Sequence, residues 1–222
     1  MACRAPARAG GRARLNGLSL EESGGAGKGK GFDLEQEEFL AQLDENPVIA
    51  AVKDEAGLSR ALGSECRVVF LLFGSLLNLA ELTQTVRAAG KTCMVHVDLI
   101  EGLSLREISV EYVARNTAAH GIISTKQSLV RRAPACGLLA VQRFFLLDSL
   151  ALGNIPRQYP KESACAIEVL PGLMPKIIRS LAVTMDVPVI AGGLIREKED
   201  VVAALDAGAR AVSSTNPAVW FL

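Results

Sequence analysis

Apolar and polar residues occur along this chain in blocks of two alternating kinds. Short apolar runs are separated by longer stretches in which apolar residues recur at helical spacing. Eight apolar runs follow one another, at 47–53, 68–74, 93–99, 121–126, 138–145, 164–170, 188–194 and 211–215. Seven helical stretches lie between them, at 55–62, 78–90, 105–117, 126–136, 148–156, 174–184 and 197–209. The pattern predicts alternating strands and helices.

The apolar runs leave no polar face, which is typical of parallel strands that are covered by helices on both sides. Eight such units within residues 46–222 predict a (β/α)8 TIM barrel. An open doubly wound sheet is the alternative, but its GxGxxG loop does not follow the first run, "VIAAVKDE". Ser104 with Glu107 predicts a capping box, and Gly90 and Gly208 predict helix C-termini.

The first 31 residues differ in composition from the rest of the chain. They are rich in Ala, Arg and Gly and carry six basic residues against two acidic ones, whereas the chain as a whole has net charge +0. So few large apolar residues cannot offset the entropy of ordering, and we expect residues 1–31 to be a disordered basic tail. It is either a flexible arm for RNA or a segment without a function. Asp33 and Gln36 predict a short helix over 32–45.

Composition narrows the class of protein further. No apolar run reaches the roughly 20 residues that a bilayer-spanning helix needs. The chain also lacks the layout of a secretory signal, so we expect a soluble cytoplasmic protein without membrane contact. Five scattered cysteines without a CxxC spacing argue against a disulfide framework and against a zinc site. We expect no metal and no cofactor.

The ends of the seventh and eighth runs suggest a phosphate site. In a TIM barrel, ligands bind where the strands end, and the turns after strands seven and eight often hold a phosphate. Here those turns contain Gly192 with Gly193, and then Ser214, Thr215 and Asn216 before a short helix that starts at Pro217. We predict that these five residues bind a phosphate, with the glycines leaving room for its oxygens. The alternative is a plain glycine turn and a structural cap at Asn216.

Charged side chains at other strand ends predict the rest of the cavity. His96 and Asp98 are two apart in one run, so both are expected to point into the mouth of the barrel. Glu168 stands in an otherwise apolar run, and Lys53 ends the first run. These four could hold the hydroxyls of a small polyol, or carry out proton abstraction or Schiff-base chemistry. His96 and Asp98 could equally form a structural pair.

Lys126 and Arg143 end the fourth and fifth runs and place positive charge at the mouth. They could reach an anion of the substrate or the phosphates of a partner. Arg131 and Arg132 lie on the following helix, where a basic pair is either a solvated face or a nucleic-acid contact.

Several consecutive blocks resemble one protein family. They are "NPVIAAVKD" (46–54), "VVFLLFG" (68–74), "VHVDLIEGLS" (95–104), "GIISTK" (121–126), "QRFFLLDSLAL" (142–152), "EVLPGLMPKII" (168–178), "IAGGLI" (190–195) and "AVSSTN" (211–216). In this order the blocks are similar to those of the glycerol-3-phosphate-responsive antiterminators, across about residues 45–220.

The resemblance implies a regulator of glycerol-uptake genes without catalytic residues. Members of the family bind glycerol 3-phosphate as an effector and act on a leader mRNA, so that transcription passes a terminator. The phosphate would lie at the residues predicted above, and the glycerol moiety would lie near Lys53, His96, Asp98 and Glu168. Lys126, Arg131, Arg132 and Arg143 are then the candidates for RNA contact.

Two other functions stay open at this point. The first is a TIM-barrel enzyme that acts on a small phosphorylated substrate, with Lys53, Asp98 and Glu168 at its centre. The second is a barrel that keeps its ligand site but no longer binds RNA, since residues 32–222 carry excess acid. Apolar helix faces suggest a homodimer.

Overall fold

A computed structural model describes residues 30–222, with side chains from Glu35 onward. Eight parallel strands close into a barrel in chain order, with the first also paired to the last. The strands are β1 (Val48–Val52), β2 (Val68–Leu71), β3 (Thr92–His96), β4 (Gly121–Ser124), β5 (Leu139–Phe145), β6 (Ala166–Leu170), β7 (Val189–Gly192) and β8 (Ala211–Ser214). The helices are α1 (Lys30–Glu45), α2 (Glu55–Leu62), α3 (Leu79–Ala88), α4 (Glu107–Asn116), α5 (Gln127–Arg132), α6 (Ser149–Gln158), α7 (Pro175–Thr184) and α8 (Lys198–Asp206). The predicted (β/α)8 TIM barrel is confirmed.

The N-terminal prediction lies mostly outside this range. Residues 1–29 of the expected tail are not among the described residues, and α1 begins at Lys30 rather than at the predicted residue 32. None of the helices within residues 30–222 is long and apolar enough to cross a bilayer.

Alternating residues of each strand point to the two sides of the sheet, and both sides are buried. Inward residues such as Ile49, Phe70 and Met94 form one cluster inside the barrel. Outward residues such as Val69 and Val95 pack in a second cluster with the covering helices. Burial on both sides explains why the strands appear in the sequence as continuous apolar runs.

Helix α1 closes the end of the barrel where the strands begin. Phe39 and Leu43, one turn apart on α1, are 1% and 0% exposed and belong to the interior cluster. The hydroxyl of Thr92, the first residue of β3, donates a 2.7 Å hydrogen bond to Oε1 of Gln42. This end of the barrel is therefore filled by apolar side chains.

Helix boundaries follow the sequence signals in some places and not in others. Gly90 and Gly208 follow α3 and α8 with φ of +71° and +99°, as helix-ending glycines require. The prediction of a capping box at Ser104 is wrong, because the residue that precedes α4 is Arg106, and its side chain does not cap the helix. A capping box is present instead at the start of α8, between Glu197 and Asp200.

Candidate functional site

A cavity of about 470 Å³ opens at the carboxyl ends of the strands. Its volume lies within the range of about 300–1,000 Å³ that is usual for small-molecule sites. Its walls come from β1, β2, β5, β6 and the turns after β7 and β8: Ala51, Leu72, Arg143, Glu168, Leu170, Gly193, Leu194, Ile195, Arg196, Ser213, Ser214, Thr215, Asn216 and Pro217. The predicted turns after the last two strands thus share one cavity with Arg143 and Glu168.

The turn after β7 has an unusual backbone. Gly193 has φ of +73°, and the next residue, Leu194, has φ of +63° although it is not glycine. Neighbouring strands hold this turn in place: the Gly172 amide donates to the Gly193 carbonyl at 3.0 Å, and the Ser214 hydroxyl donates to the Ile195 carbonyl at 2.7 Å. Such strained residues occur preferentially at ligand sites, where the surroundings impose the conformation.

Gly192 has a different role from the one predicted. A Cβ at this position would lie 2.5 Å from Oε1 of Glu168 and 2.7 Å from Oγ of Ser213. The close approach that excludes a side chain here is therefore made by the protein's own carboxylate and hydroxyl, not by a phosphate. The positive φ of Gly193, by contrast, belongs to the turn that lines the cavity.

Asn216 acts as a cap, which was the alternative interpretation of this residue. Its Oδ1 accepts from the Ala218 amide at 3.2 Å and its Nδ2 donates to the Arg196 carbonyl at 2.7 Å. Its own amide donates to the Ser214 hydroxyl at 3.0 Å. Gly193, Ser214, Thr215 and Asn216 of the predicted phosphate set line the cavity, together with Leu194 and Ile195, which the prediction did not include. Because the polar groups of Ser214 and Asn216 are engaged within the protein, Gly193 and Thr215 are the members of the set left to bind a phosphate.

A buried ion pair between β5 and β6 forms the adjoining wall of the cavity. Nε of Arg143 donates to Oε2 of Glu168 at 2.6 Å, and the two side chains are 8% and 0% exposed. The Ser213 hydroxyl donates to Oε1 of the same carboxylate at 2.5 Å. Glu168 therefore points into the barrel mouth. Arg143, one of the candidates for RNA contact, is buried against Glu168 in the cavity and does not lie on the outer surface.

The strand alternation used to place His96 and Asp98 on the same side does not extend to Asp98. Strand β3 ends at His96, and Asp98 lies in a 3-10 helix, Val97–Leu99, so the alternation of a strand no longer applies. The Asp98 carboxylate accepts from the Ser124 hydroxyl at 2.5 Å and from the Thr125 amide and hydroxyl, both at 2.7 Å. Asp98 therefore ties the end of β3 to the end of β4.

His96 is 3% exposed, and its Nδ1 has no hydrogen-bond partner within the described part of the chain. Burial, and then the positive charge of Arg143, lower the pKa of His96 to about 4. The imidazole is therefore neutral at neutral pH and cannot act as a second cation beside Arg143.

Lys53 lies in a neighbouring cavity of about 230 Å³ that also contains Arg60 and Trp220. The two cavities share Ala51, Thr215 and Pro217. Of the four residues predicted to surround the glycerol moiety, Glu168 alone lines the larger cavity. The structure therefore does not bring Lys53, Asp98 and Glu168 together.

Sequence reasoning missed one charged residue of the cavity. Arg196 lies in the loop between β7 and α8, lines the cavity and is exposed. Its amide donates to the Asp200 carboxylate at 2.8 Å, which holds the backbone of the loop. The signal was present, because Arg196 follows the glycine turn by three positions, but nothing in the sequence indicates which way this side chain points.

The remaining basic candidates lie outside the cavity. Lys126 and Arg131 are exposed at the two ends of α5, and Arg132 forms a 2.9 Å ion pair with Glu111 of α4. They belong to the outer surface of the barrel.

Comparison with known proteins identifies the family to which the sequence is similar. The family model described as "Glycerol-3-phosphate responsive antiterminator" matches residues 48–220. The chain is 41% identical over 184 residues to the uncharacterized protein YgcP of Escherichia coli K12, covering 83% of this chain and 96% of that protein.

Two solved structures are similar to the whole barrel. One is the glycerol uptake operon antiterminator regulatory protein of Listeria monocytogenes, with TM-score 0.75, 29% identity, and coverage of 79% of this chain and 95% of that one. The other is a glycerol uptake operon antiterminator-related protein of Thermotoga maritima, with TM-score 0.69, 32% identity, and coverage of 78% and 96%.

Proposed function

The chain belongs to the glycerol-3-phosphate responsive antiterminator family, and we propose that it senses glycerol 3-phosphate in the cytoplasm. When loaded, it acts on the leader mRNA of glycerol-uptake genes so that transcription passes a terminator. Glycerol 3-phosphate is then an effector that is bound and released unchanged. The observation that carries this proposal is one cavity with an anion-binding wall and a hydroxyl-binding wall.

The anion-binding wall consists of the turns after β7 and β8. The main chain of Gly193–Ile195 and the residue Thr215 can direct N–H groups at a phosphate. Arg196 stands at the same edge of the cavity and adds a positive charge with a planar set of donors. The amides of Arg196 and Asn216 take no part, because they donate to Asp200 and Ser214.

The hydroxyl-binding wall is the Arg143–Glu168 pair. The two opposite charges cancel, so this wall favours neutral polar groups over a second anion. The fully buried Glu168 carboxylate accepts from Arg143 and Ser213 and so orients the Arg143 guanidinium, whose other N–H donors can bind ligand hydroxyls. A molecule with a phosphate at one end and hydroxyls at the other fits both walls.

An enzymatic role needs a group that can take up or release a proton beside the ligand. The charged residues that sequence reasoning assigned to such chemistry are separated in the structure. Asp98 is engaged by Ser124 and Thr125, Lys53 lies in the neighbouring cavity, and Glu168 is held as an ion pair. This separation favours a binding protein over an enzyme.

Titration calorimetry with glycerol 3-phosphate, glycerol and inorganic phosphate tests the ligand. We expect the phosphorylated polyol to bind most tightly, since it alone occupies both walls. Arg196→Gln should raise its Kd about tenfold, because a charge-assisted hydrogen bond contributes about 1.5–3 kcal/mol and this side chain is partly solvated.

Lys198→Gln is the matched control. Lys198 is the first residue of α8, two positions after Arg196; it is exposed, carries the same charge and does not line the cavity. We expect less than about a twofold change in Kd. Equal effects of the two substitutions, or equal affinity for all three ligands, would disprove the proposed site. If the protein alone converts glycerol 3-phosphate into a new product, the regulatory function is disproved and the protein is an enzyme.

A further inference from the structure

Four arginines gather at one end of three neighbouring helices. Arg87 lies in the last turn of α3, Arg115 in the last turn of α4, and Arg131 with Arg132 in the last turn of α5. Helices in this fold run opposite to the strands, so these last turns lie at the end of the barrel where the strands begin. The ligand cavity opens at the other end.

Three of the four side chains are connected, and the fourth lies beyond them on the same end of the barrel. Arg87 and Arg115 border the same shallow depression between α3 and α4. Glu111 links Arg115, at 3.6 Å, to Arg132, at 2.9 Å. Arg131 is exposed and borders a separate depression together with Lys161 and Glu162. We call these four residues the arginine surface.

The charge of the arginine surface is opposite to that of the barrel around it. Residues 32–222 contain 18 basic and 22 acidic residues, a balance of −4. Four arginines and Lys161, set against the neighbouring carboxylates Glu107, Glu111 and Glu162, give a local balance of +2. A positive surface of this kind attracts a polyanion locally even though the barrel as a whole does not.

The helix dipole alone does not account for this cluster. One cation near a helix C-terminus is favourable by about 0.3–1 kcal/mol, so single basic residues there are expected. Helix α5 has only six residues yet ends in two arginines. The side chain of Arg115 is 79% exposed, which leaves its guanidinium donors open to a partner.

The surroundings favour a nucleic-acid partner over a protein. The depression between α3 and α4 is lined by small and polar residues, namely Ala80, Gln84, Asn116, Thr117 and Ala118 beside the two arginines. Protein interfaces usually have an apolar or aromatic centre, whereas nucleic-acid interfaces are polar and positive. Large exposed apolar side chains such as Leu77, Leu147 and Leu150, at 97%, 86% and 72% exposure, lie on the mouth side instead.

We propose that the arginine surface binds the phosphate backbone of the RNA. This inference rests on the proposed function and adds the location of the contact. Guanidinium groups bind phosphate oxygens through pairs of N–H donors, which suits a sugar-phosphate backbone that passes across the ends of α3, α4 and α5. Ligand and RNA then bind at opposite ends of the barrel and do not touch one another.

Salt dependence of RNA binding tests the location. The probe is a fluorescently labelled leader transcript of a glycerol-uptake operon, titrated by anisotropy between 50 and 200 mM KCl, with and without glycerol 3-phosphate. For single-stranded nucleic acid, each neutralised phosphate contributes about −0.7 to the slope of log K against log salt. Arg115→Gln with Arg131→Gln should therefore make the slope shallower by about 1.4.

Two further variants separate the inference from general charge effects. Arg157→Gln with Arg179→Gln removes the same charge from exposed positions on α6 and α7 and should leave the slope unchanged. Glu111→Gln removes the carboxylate that occupies Arg115 and Arg132. It should tighten RNA binding at least about twofold, since two guanidinium groups become available.

The outcomes distinguish failure of the proposed RNA contact from failure of the proposed function. If the protein binds RNA but the Arg115/Arg131 variant matches the Arg157/Arg179 control, the arginine surface is not the contact and the proposed function stands. If the protein binds glycerol 3-phosphate but no RNA, both the RNA part of the proposed function and this inference fail. Capture of an acidic protein through these arginines, without RNA binding, also overturns it.

Discussion

The two ends of the barrel are built from the same strands but filled by different chemistry. At the end where the strands begin, the inward positions are apolar and Phe39 and Leu43 of α1 cover them. At the other end, the inward positions are Arg143, Glu168 and Ser213. One end is closed by packing, and the other keeps a cavity of about 470 Å³.

Stability and binding therefore depend on opposite ends of one sheet. Removing an apolar contact at the closed end should weaken the fold without changing what the mouth recognises. Removing a polar contact at the mouth should change recognition, and its effect on stability depends on whether a charge is left without a partner.

Phe39→Ala is expected to have the largest effect on stability. Truncating a fully buried phenylalanine costs about 3–5 kcal/mol, from lost burial and from the cavity left behind. Urea denaturation measures the loss, and calorimetry below the transition should give an unchanged Kd for glycerol 3-phosphate. A variant that keeps its stability, or that is stable but binds poorly, would contradict the division between the two ends.

Breaking the Arg143–Glu168 pair should be nearly as costly when one partner is removed. Arg143→Met leaves the buried Glu168 carboxylate without its cation, which typically costs about 3–5 kcal/mol of stability. The double variant Arg143→Met with Glu168→Leu leaves neither charge and should recover most of that loss. Denaturation measures both changes.

Ligand binding is expected to respond differently in the same double variant. Since both polar groups of the hydroxyl-binding wall are gone, glycerol 3-phosphate should bind at least about tenfold more weakly although the fold is restored. A stable double variant with normal affinity would show that this pair serves the fold alone.

His96, at the mouth of the barrel, makes the stability of the protein depend on pH. Its folded pKa of about 4 lies below the ordinary value of 6.5, so the unfolded chain binds the proton more readily. The neutral imidazole therefore makes its full contribution to the free energy of unfolding above about pH 6.5. That contribution is lost as the pH falls towards 4, and the free energy of unfolding decreases by about 2–3 kcal/mol between pH 7 and 4.5. Denaturation at several pH values should show this slope, and His96→Gln should reduce it.

His120 is the internal control for this measurement, because burial lowers its pKa as well. In the His120→Gln variant, the pH dependence of stability that is due to His96 should remain. If the slope is the same with and without His96, its imidazole is not held neutral by burial and Arg143.

The two neighbouring glycines should give the smallest and most local differences. Gly192→Ala forces a methyl group against Glu168 and Ser213, and overpacking of this kind costs about 1–3 kcal/mol. Gly193→Ala costs about 1–2 kcal/mol for a left-handed conformation at φ of +73°. Thermal melting ranks the two, and calorimetry should show weaker ligand binding for both. Normal affinity in both would remove the turn after β7 from the site.

Much of the fold was predictable because its signals are local. A continuous apolar run identifies a strand buried on both faces, whatever its neighbours are. Glu168 was correctly predicted to point into the mouth, since a lone carboxylate in an apolar strand has no other polar place to go. The start of α4 was missed, because Ser104 has the right spacing for a cap but its carbonyl instead accepts from the Ser109 hydroxyl.

Periodicity along the chain was enough to predict the order of strands and helices, the closed barrel and the turns that line its mouth. Which polar groups meet depends on the folded structure. Arg143 pairs with Glu168 because β5 and β6 place these two residues in register. Asp98 is taken by the end of β4, and Gly192 is bare because Glu168 lies against it. Hydrogen-bond partners are set by distances across strands, and sequence spacing does not contain those distances.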